Sequence, residues 1–169
     1  MKYFYFIIAC FFSFTGQSQE ATTTIYLIRH AEKADDTSDT DLSEKGNLRA
    51  QRWAAYFKPM RIQTFYTTNY KRSVSTIIPA SVAAVEPVPG TTYNMKIIRY
   101  DPGTLSLLDV ASKHNGEKVL IVGHSNTIPN TINKYLGKEV YKDIPEDEYG
   151  NLYIITINGN KVSHDLVKI

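Results

Sequence analysis

Arginine and histidine residues follow three apolar segments that have the length and composition of β-strands. The first segment runs into Arg29 and His30, the second has Arg72 shortly beyond its end, and a later one runs into His124. Guanidinium groups match phosphate oxygens in charge and geometry. An imidazole can attack phosphorus, and a second one can donate hydrogen bonds to the transferring group. Ligands of open α/β sheets bind beyond the carboxyl ends of the strands, so the pattern predicts a phosphate site there.

Strand-like and helix-like segments alternate along the chain that must position these residues. Strands are predicted at 24–28, 62–67, 95–100 and 118–122. Helices are predicted from Ser43 to Pro59, at 70–84 with a kink or restart at Pro79, at 105–113, and between Pro129 and Gly137. The turn at 158–160 predicts a hairpin that joins 152–157 to 161–169. We therefore expect an α/β three-layer sandwich with a mostly parallel central sheet, helices on both faces and a C-terminal antiparallel hairpin.

Four segments resemble motifs of the histidine phosphatase superfamily, the phosphoglycerate-mutase-like group. Residues 25–33 resemble the signature of that family, and residues 67–73 with Thr76 are similar to its second arginine motif. Residues 119–124 resemble its second-histidine strand, and residues 42–46 resemble the loop that leads into its first helix. The match covers essentially the whole chain after the first eighteen residues, which favours a short phosphatase-type member.

The resemblance implies a phosphomonoesterase of the histidine acid phosphatase type that works through a phosphohistidine intermediate. By this resemblance His30 is the phosphorylated nucleophile, Arg29 and Arg72 clamp the phosphate, and His124 binds and stabilises the transferring phosphoryl group. We expect no metal and no other cofactor, because the arginines and histidines supply the positive charge that a metal ion supplies elsewhere. The expected partner is a small phosphorylated substrate or a phosphoprotein.

The general acid is less clearly indicated by the sequence. Loss of an alkoxide needs a proton donor within hydrogen-bond reach of the ester oxygen. Some family members carry an aspartate directly after the second histidine, where this chain has Ser125. Asp101, just after the third strand, is the predicted acid, with Glu86 and Glu32 as alternatives. Asp101 can equally start the turn that Pro102 continues, and the substrate would then need a good leaving group such as a phosphohistidine or an acyl phosphate.

Three other functions compete with phosphatase activity. A phosphoglycerate-mutase-type phosphotransferase would need a lid to shelter its intermediate from water, and residues 73–123 are largely used by a predicted strand and two helices. A non-catalytic phosphate-binding member is a second alternative, although both arginines and both histidines are present. A serine hydrolase on Ser125 is the weakest, because Thr127 replaces the last glycine of the nucleophile-elbow motif and His164 is the one histidine downstream.

Composition and the N-terminal residues indicate the number of domains, the class of partner and the localisation. The chain has 169 residues, 43% hydrophobic, and a formal charge of +2, which suits one globular domain and does not suggest nucleic-acid binding. Lys2, the apolar residues 3–14 and the small residues near 18 predict a signal peptide over 1–18, followed by a single domain over 19–169. We therefore expect an exported protein, periplasmic or extracellular, without a membrane span after cleavage. A retained N-terminal anchor is the alternative.

Overall fold

The computed structural model describes residues 21–84 and 97–169. Within these ranges the strands are β1 (Thr22–Arg29), β2 (Thr64–Thr68), β3 (Ile97–Tyr100), β4 (Lys118–Gly123), β5 (Asn151–Asn158) and β6 (Lys161–Lys168). The helices are α1 (Glu44–Phe57), α2 (Lys71–Ala83), α3 (Leu107–Lys113) and α4 (Thr127–Leu136). The predicted signal peptide over 1–18 and Glu86 lie outside the described residues.

The six strands form one sheet in the order β3-β2-β4-β1-β5-β6. β1 through β4 pair in parallel, whereas β5 runs antiparallel to β1, and β6 antiparallel to β5. β1 and β4 are neighbours at the centre, which agrees with their almost uninterrupted apolar sequences. The predicted α/β class, with its mostly parallel sheet and C-terminal hairpin, is confirmed.

Helices cover both faces of the sheet, as alternating side chains along the strands require. Ile25 and Leu27 of β1 face one layer, while Tyr26 and Ile28 face the other. The first layer holds α3 and α4 through Leu107, Val110, Ile128 and Ile132. The second holds α1 and α2 through Trp53, Ala54, Phe57, Ile77 and Ala80. Each layer buries a separate apolar cluster, so the central strands are enclosed on both sides.

Local sequence signals account for the helix limits close to the site. The Ser43 hydroxyl caps α1 by accepting a hydrogen bond from the backbone N–H of Gly46 at 3.1 Å. α1 ends at Phe57 and continues as one 3-10 turn, Lys58–Met60, which contains Pro59. α2 is continuous through Pro79, so the predicted restart does not occur. Proline removes one helical hydrogen bond there, and the buried residues Ile77 and Ala80 anchor the helix on either side.

No helix in residues 21–84 and 97–169 is long and apolar enough to cross a membrane.

Candidate active site

The central strands bring the two predicted site histidines to neighbouring positions. Arg29 pairs with Gly123 across β1 and β4, and the backbone N–H of His30 donates to the Gly123 carbonyl oxygen at 2.9 Å. His124 directly follows Gly123, and the His30 and His124 ring centroids lie 5.3 Å apart. The rings border a pocket of about 330 Å³, which is lined by Arg29, His30, Lys33, Tyr70, Arg72, Pro102, His124, Ser125, Asn126, Thr127 and Glu146. The structure thus brings together all four residues predicted from the strand ends.

Gly123, at the point where the chain turns from β4 towards α4, is closely surrounded by the side chains of Ile128 and Tyr100. A Cβ atom at this position would lie 2.7 Å from Ile128 Cδ1 and 2.9 Å from the Tyr100 hydroxyl oxygen. Those distances are shorter than ordinary contacts between nonbonded heavy atoms. The backbone N–H of His124 then donates to Thr127 Oγ1 at 3.1 Å, at the start of α4. The absence of a side chain at Gly123 therefore allows the close packing that holds His124 at the strand end.

His30 is held as a neutral imidazole with one nitrogen available for attack. Its side chain is buried, and Nδ1 lies 2.8 Å from the carbonyl oxygen of Ala31. A carbonyl oxygen only accepts hydrogen bonds, so Nδ1 carries the proton and the Nε2 lone pair is free. Burial lowers the pKa of His30 to about 3, and the nearby His124, Arg72 and Arg29 add to this effect against the Ala31 hydrogen bond. An unprotonated Nε2 is what a nucleophile toward phosphorus requires.

His124 is also neutral and is oriented by a threonine hydroxyl. Its Nε2 lies 3.0 Å from Thr68 Oγ1 at the end of β2, and the Tyr70 ring meets its ring edge-on at 5.2 Å between centroids. Burial lowers the pKa of His124 to about 4, with further lowering from Arg72 and Arg29 and an opposing effect from Glu146. The ring is therefore fixed beside His30.

Arg29 is almost completely buried and connects the pocket to the loop after α4. Its Nη1 donates to the carbonyl oxygens of Pro145 at 2.8 Å and of Glu146 and Glu148 at 3.1 Å. Its Nη2 donates to Glu146 Oε2 at 2.5 Å, and the guanidinium lies 4.4 Å from the centroid of the Tyr149 ring. Arg29 thus lines the pocket and also positions the loop that contributes Glu146 to the pocket lining.

Arg72 approaches the pocket from the first turn of α2. Its Nη1 donates to the carbonyl oxygen of Ser38 at 2.8 Å, and its guanidinium lies 4.4 Å from the centroid of the Tyr70 ring. In both Arg72 and Arg29 the Nε atom is buried without a hydrogen-bond partner among the described residues. An unsatisfied buried donor costs about 1–3 kcal/mol. An anion in the pocket with several acceptor oxygens, such as phosphate, can supply the missing partners.

The candidate acids occupy different surroundings. Asp101 is exposed, and its backbone carbonyl accepts hydrogen bonds from the N–H and hydroxyl of Thr104 at 3.1 and 2.8 Å, as in a turn. Its neighbour Pro102 lines the pocket, whereas Asp101 does not. Glu32 is nearly buried and pairs with Arg49, with N–O distances of 2.7 to 3.0 Å. Burial raises the pKa of Glu32, but the hydrogen bonds and charge of Arg49 outweigh it and lower the pKa overall.

Glu146 is a pocket residue that sequence reasoning missed. Its Oε1 accepts a hydrogen bond from Ser125 Oγ at 2.7 Å, and its Oε2 is held by Arg29. The residues between α4 and β5 show no helical or strand periodicity, and glutamates in such a segment are ordinary for a surface. Among the pocket-lining residues that the structure describes, Glu146 carries the one carboxylate.

The same geometry can be compared with the serine-hydrolase alternative and with the groupings of side chains that bind metal ions. His164, the downstream histidine that a Ser125 triad would need, contacts the Tyr141 hydroxyl at 2.8 Å through Nδ1 and does not line the pocket. The Ser125 hydroxyl donates to Glu146 instead of to a histidine. Within the described ranges, no three histidine, cysteine or acidic side chains come together to hold a metal ion.

Comparisons with known proteins agree with the resemblance seen in the motifs. Residues 25–91 match the family model described as histidine phosphatase superfamily (branch 1). That range contains the first motif and the second arginine motif. No curated protein matches the sequence significantly.

Solved structures share the fold at low sequence identity. A structure of the protein histidine phosphatase SixA complexed with tungstate aligns with a TM-score of 0.64 and 14% identity, covering 86% of this chain and 96% of that one. A phosphoserine phosphatase mutant from Entamoeba histolytica, in complex with phosphoserine, aligns at 0.63 and 12%, covering 84% and 94%. The mycobacterial glucosyl-3-phosphoglycerate phosphatase Rv2419c aligns at 0.57 and 11%, covering 87% and 98%. At these low sequence identities, the comparisons with solved structures show a shared fold.

Proposed function

From the match of residues 25–91 to the histidine phosphatase superfamily model, we propose that the chain is a phosphomonoesterase of that superfamily working through a phosphohistidine on His30. One observation carries the proposal. Two neutral histidines lie 5.3 Å apart in a pocket that also holds Arg29 and Arg72, each with a buried Nε that lacks a partner. A phosphoryl group supplies acceptors for the arginines and an electrophilic phosphorus for His30.

The two chemical steps follow from the charge and protonation of these side chains. In the first step, the lone pair on His30 Nε2 forms a bond to phosphorus as the bond to the leaving-group oxygen breaks. Arg29, Arg72 and an N–H of His124 stabilise the negative charge on the phosphoryl oxygens. In the second step, water attacks phosphorus, the P–N bond breaks and its electrons return to His30, releasing inorganic phosphate. The proton lost by the water goes to the group that protonated the leaving oxygen.

The substrate is a small phosphorylated molecule or a phosphoprotein in this proposal. The fold relatives include a protein histidine phosphatase and a phosphoserine phosphatase. Hydrolysis is favoured over phosphotransfer, because most of the described residues between Arg72 and His124 lie in α2, β3, α3 and β4. A neutral, correctly oriented His30 favours catalysis over phosphate binding alone. We also propose export, on the strength of the predicted signal peptide over 1–18.

Trapping the intermediate tests this function directly. Protein treated with ³²P-labelled phosphomonoester and quenched in base should retain label that is stable to alkali and released by acid. His30→Ala should lose both label and turnover, whereas His164→Ala, which removes a histidine outside the pocket, should retain both. Treatment with EDTA should leave the turnover of the unmodified protein unchanged. Full turnover in His30→Ala, or an alkali-labile label, would exclude the proposed nucleophile.

A further inference from the structure

Glu146 is the one carboxylate among the described residues that line the pocket. It borders the same pocket as both histidines, and its side chain is 74% exposed, so that it exchanges protons freely with solvent. Its two oxygens are occupied by Ser125 Oγ and Arg29 Nη2. Arg29 is itself one of the two residues proposed to bind the phosphoryl group. Glu146 and a bound phosphate therefore compete for the same N–H donors.

The backbone around Glu146 is held independently of its side chain. Arg29 Nη1 binds the carbonyl oxygens of Pro145, Glu146 and Glu148, and the N–H of Ile144 donates to the Ser125 carbonyl oxygen at 3.0 Å. When a ligand displaces the carboxylate from Nη2, these contacts remain. The carboxylate can therefore change partners while the loop stays at the pocket.

We propose that Glu146 is the proton donor to the leaving-group oxygen, and that the phosphoryl group prepares it for this role by displacing it from Arg29. The inference rests on the phosphatase function proposed above. In the first step the O–H bond of protonated Glu146 breaks and its proton binds the departing ester oxygen. In the second step the resulting carboxylate accepts a proton from the attacking water.

The electrostatics of the two states favour this change of protonation. Without substrate, the hydrogen bond from Ser125 and the charge of Arg29 lower the pKa of Glu146, so that the carboxylate is ionised. A bound phosphate neutralises Arg29 and adds negative charge beside the carboxylate. Both changes raise a carboxyl pKa. Substrate thus creates the protonated acid at the moment when a proton is needed.

The alternative carboxylates have less suitable positions. Asp101 does not line the pocket. Glu32 is engaged by Arg49 at 2.7 Å and by Lys45 at 3.5 Å, outside the pocket lining. Among the described residues, neither side chain forms a hydrogen bond or an ion pair with a residue proposed to bind the phosphoryl group.

A leaving-group comparison tests the inference. Glu146→Gln keeps the size of the side chain and one acceptor oxygen, but it cannot donate the proton of a carboxylic acid. Its kcat on an alkyl phosphate such as phosphoserine should fall about 100-fold or more, the usual scale of general acid catalysis. With p-nitrophenyl phosphate, whose leaving group needs little protonation, the loss should stay below about threefold. The matched control is Asp147→Asn, which removes the adjacent exposed charge and should change neither rate.

Phosphate inhibition provides a second readout. Because Glu146→Gln removes an anion that competes for Arg29, inorganic phosphate should inhibit this variant about fivefold more strongly than it inhibits the unmodified protein. A merely structural role would not produce this tightening. An unchanged inhibition constant would overturn the displacement step.

Other outcomes separate the inference from the proposed function. Equal losses on both substrates in Glu146→Gln, with normal turnover by the unmodified protein, would overturn the inference alone. Selective loss on the alkyl substrate in Asp101→Asn instead of Glu146→Gln would identify Asp101 as the acid and also overturn it. Failure of the unmodified protein to form a labelled His30 or to release phosphate from any substrate would overturn both.

Discussion

The two arginines of the pocket should respond differently to replacement, because Arg29 makes four hydrogen bonds to the loop after α4, whereas Arg72 makes one to the loop after β1. Arg29→Ala and Arg72→Ala each remove a proposed phosphate ligand, so both should lose most of their activity. Arg29→Ala should in addition lower the free energy of unfolding, because the segment from Pro145 to Glu148 is held by this side chain. Among the described residues, the Arg72 side chain makes one hydrogen bond, to the carbonyl oxygen of Ser38, and its guanidinium lies over the Tyr70 ring.

The magnitudes follow from what each replacement leaves behind. Arg29 is nearly inaccessible, and its removal leaves three backbone carbonyls and the Glu146 carboxylate without their donor. Breaking a buried ion pair from one side costs about 3–5 kcal/mol, and the exposure of Glu146 places the expected loss near the lower limit, about 3 kcal/mol. For a domain of this size, that corresponds to a fall in Tm of roughly 10 °C. Arg72→Ala should cost about 1 kcal/mol, the value of one hydrogen bond.

Urea titration and thermal unfolding of both variants measure the difference, with Arg52→Ala, an exposed arginine on α1, as the control for loss of charge. Activity on p-nitrophenyl phosphate is followed in parallel. The reasoning would be refuted if Arg29→Ala unfolded at the same temperature as Arg72→Ala, since the contacts of Arg29 with the loop would then contribute nothing to stability. It would also be refuted if either variant kept full activity.

Two further predictions concern pH and backbone packing. The pKa values of His30 and His124 in the folded protein, about 3 and about 4, lie below the ordinary histidine value of 6.5. Between these values and 6.5 the unfolded chain therefore binds more protons than the folded protein. The free energy of unfolding should fall as the pH falls below about 6.5. Urea titrations at pH 7, 5.5 and 4.5 should show this fall, and a slope that stays unchanged in His30→Gln would contradict it. Gly46→Ala places a Cβ atom against the backbone carbonyl oxygen of Glu32, which cannot rotate away, and should cost about 1–3 kcal/mol. A urea midpoint equal to that of the unmodified protein would disprove the overlap.

The sheet and four of the pocket residues could be predicted because they depend on local pattern. Apolar runs of strand length predict β1 and β4. The carboxyl ends of parallel strands lie at the same edge of the sheet regardless of the conformation of the loops. Arg29, His30 and His124 come directly after such runs, so their meeting follows from the strands. Arg72 lies one residue inside the N-terminal end of α2, and its position follows from the same rule.

The role of the loop after α4 could not be predicted from the sequence. Glu146 is 117 residues away from Arg29, and nothing in the intervening sequence indicates that the two meet. Residues 138–150 contain no strand or helix, so no periodicity fixes the direction of their side chains. Their placement depends on hydrogen bonds to the buried Arg29, which is a tertiary effect. The same limitation applies to Asp101, whose position after β3 is predicted correctly but whose side chain is not among the pocket-lining groups.

The register of β1 and β4 has a consequence for protein engineering. His30 and His124 leave adjacent strands one residue beyond the paired positions Arg29 and Gly123, so the spacing of their backbones is fixed by the sheet. The outer wall, in contrast, is made by loop residues such as Pro102. We expect a directed-evolution library confined to Lys33 and Pro102, two pocket-lining residues outside the named strands and helices, to yield altered substrate preferences while every active clone still passes through phosphorylated His30. The position of the two histidines is thus fixed by the sheet, and substrate preference can be changed separately through the loops.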